Sequence, residues 1–117
     1  MADWTRANLI DRALEHIGVL AIGGTVASND STRAGEAIDS AHERLRKLGY
    51  APFATSAIPP WAQVHFRDVV AGDLAMMYGI SGQRLVEFKL GAQRAELELQ
   101  RQVSGRKPPV RVAIEEF

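Results

Sequence analysis

The sequence predicts an all-α protein: a four-helix bundle followed by an extended C-terminal arm. Three observations predict it. Apolar residues recur at spacings of three and four through four stretches, glycine or proline punctuates the gaps, and convincing period-two alternation occurs once, in Val110–Ile114. A chain of 117 residues, 46% of them hydrophobic and 24% charged, suits one ordinary globular core. The expected division is a helical domain over residues 1–104 and an arm over 105–117.

The first helix is expected from the N-cap Thr5 to about Ile17. Leu9, Ile10, Ala13, Leu14 and Ile17 share one face, Asp11, Arg12 and Glu15 take the other, and Gly18 supplies the left-handed stop. Residues 18–31 read as a connector broken by Gly23-Gly24, in which Ser28, Asn29, Asp30 and Ser31 form a cluster of capping residues. The second helix follows, with an apolar stripe at Ala34, Ile38, Ala41, Leu45 and Leu48 and a stop at Gly49.

Residues 50–60 form a second connector ending in Pro59-Pro60, and proline is tolerated in a first helical turn. A third helix from Pro60 or Trp61 to about Tyr78 is apolar on more than one face, with Val64, Phe66, Val69, Val70, Leu74, Met76 and Met77 among its residues. It is therefore expected to be central, and Gly72 within it to mark a close approach of another helix. Ser81 precedes a fourth helix, expected from about Gly82 to Val103 and stopped by Ser104-Gly105. Its main stripe is Leu85, Phe88, Ala92, Ala95 and Leu99; Val86, Leu90 and Leu97 make a weaker second one.

The tail differs in kind. Lys107-Pro108-Pro109 is stiff and extended, and Val110, Val112 and Ile114 then fall on one side of a lone strand that needs a partner's edge. Formal charge is zero overall, yet Arg101, Arg106, Lys107 and Arg111 face only Glu115 and Glu116 in the last seventeen residues.

Composition excludes several function classes. With no cysteine there is no disulfide, thiolate catalysis or Cys-ligated metal, and zero net charge lacks the basic footprint of a nucleic-acid binder. The N-terminus shows no secretory signal and no stretch is apolar enough to span a membrane, so an intracellular protein, or one made there and then assembled, is expected. His16, His42 and His65 fall on three different predicted helices without a second ligand at helical spacing, and no phosphate-binding glycine loop or nucleophile elbow occurs. No catalytic residue, metal or cofactor is expected, and the chain reads as no enzyme. A link of about fourteen residues between helices one and two is too long for a helix-turn-helix, although a small DNA-binding or regulatory helical protein remains the alternative reading. Trp61, after the double proline, is either a core staple or an interface anchor.

In order, Leu9-Ile10, Leu14, Ile17-Gly18-Val19-Leu20-Ala21, the Ser/Asp-rich cap, Leu45 and Leu48-Gly49, Ile58-Pro59 and Ala75 with Tyr78-Gly79 resemble the head-to-tail connector proteins of tailed bacteriophages and gene transfer agents, across roughly residues 5–100. The resemblance implies a virion protein of the neck, a tail accessory or head-completion subunit. It implies a homo-oligomeric ring, typically twelvefold, between the portal protein and a tail or stopper protein. DNA would pass through such a ring without sequence-specific binding, and no membrane is involved. It implies that the C-terminal arm anchors to the portal through Lys107, Val110, Arg111, Val112, Ile114 and Phe117, with β-strand addition as the mode suited to the alternation. The sequence departs from the family pattern at Gly23-Gly24 and His65-Phe66-Arg67, and loop 19–30 is where different neighbour contacts are expected.

Overall fold

The computed structural model describes residues 2–106. They form four helices in chain order, α1 (Arg6–Ile17), α2 (Ser28–Leu48), α3 (Pro60–Met77) and α4 (Gly82–Arg106), with no strand among the described residues beyond one isolated bridge between Trp4 and Ile58. The alternating segment Val110–Ile114 and the rest of the proposed arm lie outside the described residues.

α1 is closed at both ends by its own sequence. The Thr5 hydroxyl accepts from the Asn8 backbone N–H at 3.2 Å, and the Asn8 side chain accepts from the Thr5 N–H at 3.0 Å. This is a capping box with asparagine in the usual Glu or Gln position. Gly18 ends the helix at φ 85°, where any other residue would be strained. The predicted stripe, Leu9 to Ile17, is buried.

α2 begins earlier than its cap cluster suggests. Ala27 is the N-cap and offers no side-chain bond, so Ser28, Asn29, Asp30 and Ser31 form the first turn rather than precede it. That turn is held otherwise: the Ser28 carbonyl accepts from the Thr32 hydroxyl at 3.0 Å, and Asp30, at the positive helix end, accepts from the Tyr78 hydroxyl at 2.6 Å. Ala34, Ile38, Ala41 and Leu45 are buried as the stripe predicts, whereas Leu48 is exposed where the last turn runs past the covered face.

α3 is the hub. It packs against α1, α2 and α4; α1 and α2 also pack together, while the backbone of α4 approaches α3 alone. Hence buried residues go most of the way around α3, including Ala62, Phe66, Val69, Val70, Leu74 and Ala75. Val64, Met76 and Met77, expected within this covered helix, are instead half exposed, because α4 lies along one side of α3 and closes no ring with α1 and α2. The buried amide of Gln63, 2% exposed, donates to the carbonyls of Ala2 (2.8 Å) and Ile58 (3.1 Å), so the N-terminal segment and the second connector are tied to the start of α3.

The expected close approach occurs at Gly72. A Cβ there would lie 2.7 Å from the Ala92 Cβ and 3.5 Å from the Phe88 carbonyl oxygen. α4 presents Phe88, Ala92, Ala95 and Leu99 to this side, the last two fully buried. It also runs through Ser104-Gly105 to at least Arg106, longer than expected. Gly105 does not take a left-handed φ, so it acts as a weak helix residue and not as a stop.

Substitution Gly72→Ala should therefore destabilise the protein by about 1–3 kcal/mol despite alanine's better helix propensity, because the added methyl overpacks a rigid contact. Combining it with Ala92→Gly should recover part of the loss. Urea unfolding midpoints of the two variants test this; an unchanged midpoint in Gly72→Ala would show that α4 is free to move away.

Candidate functional site

Side chains, not backbone packing, join α4 to α1 and α2. At one end, Arg84 donates from Nη2 to the Ile17 carbonyl at 3.1 Å, meeting the negative C-terminal end of α1, while its guanidinium lies 5.5 Å from the Phe88 ring centroid. Arg84 is an exposed residue of α4, yet its guanidinium reaches the end of another helix. Toward the other end, Arg44 of α2 and Glu96 of α4 pair at 2.7 Å across the top of α3.

Between these ties the surface is grooved. A depression of about 460 Å³ opens between α2 and α3, with Ala37, Ser40, Asp73, Met76 and Met77 in its wall. Asp73 is shared with a smaller hollow at Gly72 and Lys89. Its carboxyl is pushed above the ordinary range chiefly by loss of water, with Glu96 adding to the push and Arg44 and Lys89 opposing it. A separate depression of about 320 Å³ lies on the outer face of α1, where Asp11, Arg12 and Glu15 meet the loop residue Ile22. Ile22 is 90% exposed, an apolar side chain standing almost free of its own protein.

The three histidines sit on α1, α2 and α3, as the sequence predicts, and do not converge. Nε2 of His42 lies 2.6 Å from the Phe53 carbonyl oxygen, and the imidazole meets the rings of Phe53 and Phe66 at 5.9 and 6.1 Å. It anchors the second connector to α2, a role hidden in the sequence because its partner lies in an irregular segment. His16 faces the Phe88 ring at 5.6 Å, with Nε2 3.5 Å from the Asp68 carboxylate. Loss of water and the nearby Arg67 lower its pKa, against the pull of Asp68.

Among the described residues, no three His, Asp or Glu side chains converge as a metal site, and no helix is long and apolar enough to cross a membrane. Trp61 is half-buried in the first turn of α3 and meets Phe53 edge-to-face at 5.9 Å, part of one aromatic group with His42 and Phe66. Lys107, Val110, Arg111, Val112, Ile114 and Phe117 lie outside the described residues, so the geometry brings none of them to these surfaces. No protein-family model, curated protein or solved structure matches the chain.

His16 gives a pH signature. Because its folded pKa is lowered, its neutral form supports the fold above the ordinary value of about 6.5, and stability falls as pH drops below that value and the unfolded chain takes up the proton first. His16→Gln should remove that part of the decline. Thermal unfolding of both proteins from about pH 7.5 to about pH 5.5 checks it, and parallel curves would show that His16 is not the group responsible.

Proposed function

We propose that the chain is a structural subunit of a virion connector. In this reading a four-helix bundle carries an extended arm, and copies assemble into a ring, twelvefold in the family it resembles. The ring docks under the portal protein, extends the DNA channel and offers its far side to a tail or stopper protein. The neck of a phage or gene-transfer-agent particle is its location.

The observation that carries the reading is a pair of unlike surfaces. Ile22 projects from the α1–α2 loop, and Met76 and Met77 edge a groove between α2 and α3, with different residues lining each place. A ring requires such heterologous contact, in which one patch on a copy meets a different patch on the next. Methionine suits the receiving side because its flexible thioether fills irregular gaps. The mixed charge around both places allows DNA to pass without being gripped, since tight backbone binding needs clustered cations. Trp61, half-buried at the start of α3, is the proposed interface anchor.

The arm is assigned to portal binding, with Val110, Val112 and Ile114 adding as a strand and Lys107, Arg111 and Phe117 flanking them. Residues 105 and 106, counted with the arm from the sequence, belong to α4.

Deleting residues 107–117 should leave the helical circular dichroism of the domain intact and abolish binding to the cognate portal in a pull-down. Full portal binding by that truncation would remove the arm from the account. Val112→Asp should weaken the same binding without loss of helix; a large helical loss would mean that the arm packs on its own domain.

A further inference from the structure

The second apolar stripe of α4 is not used by the fold. Val86, Leu90 and Leu97 are 50%, 43% and 62% exposed. At 3.6 residues per turn they fall within about 40° of one another and roughly opposite Phe88, Ala92, Ala95 and Leu99, which face α3. One helix thus carries two apolar seams, one covered by α3 and one facing outward.

The outward seam has heptad spacing. Val86, Leu90, Gln93, Leu97, Gln100 and Ser104 follow one another at intervals of four and three, the pattern by which one helix meets another along its length. Glu87, Arg94 and Arg101 flank it on one side, Lys89 and Glu96 on the other. These flanks favour one direction. A parallel second copy would set Lys89 against Arg94, like charges, and Glu96 against Arg101, opposite ones, so that the two kinds of contact offset each other. An antiparallel copy in the register that places Val86 opposite Leu97 and Leu90 opposite Gln93 sets Glu87 against Arg94 and Lys89 against Glu96. Two-fold symmetry repeats each pair, giving four opposite-charge contacts and no like-charge one. Glu96 already holds Arg44 at 2.7 Å, so Lys89 of the second copy would extend that ion pair across the seam.

We propose that the free protein associates with a second copy of itself through α4, as an antiparallel two-fold pair built on Val86, Leu90 and Leu97. The register is fixed by Glu87–Arg94 and Lys89–Glu96 contacts between copies. The inference concerns the chain before any assembly and does not depend on the connector reading. Gln93 within the seam weakens the pair while favouring one register, as a single polar seam position does in short coiled coils. With four apolar-to-mixed layers the contact is small, so the association depends on concentration.

Sedimentation of the full chain from about 10 µM to about 1 mM, the range expected for an interface below standard size, reads the equilibrium. A monomer–dimer transition is expected. Leu97→Glu should raise the dissociation constant at least about tenfold with helical circular dichroism unchanged. Glu87→Arg alone should raise it about tenfold, Arg94→Glu should also weaken it, and the double exchange should restore it. A monomer throughout the range overturns the proposal, as does a dimer indifferent to Leu97→Glu. Tightening by Arg94→Glu alone would show a parallel pair and overturn the antiparallel one. Gln93→Leu, which enlarges the apolar seam without touching the fold's core, should tighten the dimer; no change in that variant would also count against it.

Discussion

Everything in this molecule hangs on how α3 is covered. A helix apolar on several faces must be buried by several neighbours, and α3 obtains them from α1, α2 and α4. Its closest helix contact depends on the absence of a side chain at Gly72, where a Cβ would collide with the Ala92 Cβ of α4. That contact sets the distance of α4 from α3. It thereby sets which α4 residues are inside and which are left outside.

The consequence is an asymmetric domain. α1, α2 and α3 form a mutually packed group, and α4 is fastened along one side by Gly72–Ala92 packing, by Arg84 on the Ile17 carbonyl and by Arg44 on Glu96. Because the four helices do not close on one another, apolar groups remain open at Met76 and Met77, at Ile22, and along the outer seam of α4. Such surface is open to contact with another chain, and the proposed roles are both roles of assembly.

Much of the fold was legible because it rests on local chemistry. Thr5 and Gly18 bracket α1, Pro60 opens α3, the Ala34-to-Leu45 stripe is the buried face of α2, and Gly72 does mark a close approach. The sequence missed what depends on distant partners. The Ser28–Ser31 cluster sits inside α2, where Asp30 accepts from Tyr78, 48 residues away. Gln63 is buried because two carbonyls from the N-terminal segment and the second connector converge on it, and His42 is engaged by a connector with no periodicity to reveal it. Ser104-Gly105 read as a stop, but a glycine in ordinary helical φ does not end a helix. The surfaces were partly legible: the Val86, Leu90 and Leu97 spacing was visible, but its exposure followed only from knowing that α3 takes the opposite side.

The central claim is that this chain is a structural part of a particle neck. The most direct measurement is cryo-electron microscopy of particles assembled with the chain carrying a small N-terminal label. The account predicts label density in a ring between the portal and the tail, at a stoichiometry matched to that ring. Particles without the label at the neck, together with salt-sensitive binding of duplex DNA by the purified chain, would contradict it and favour a regulatory DNA-binding protein.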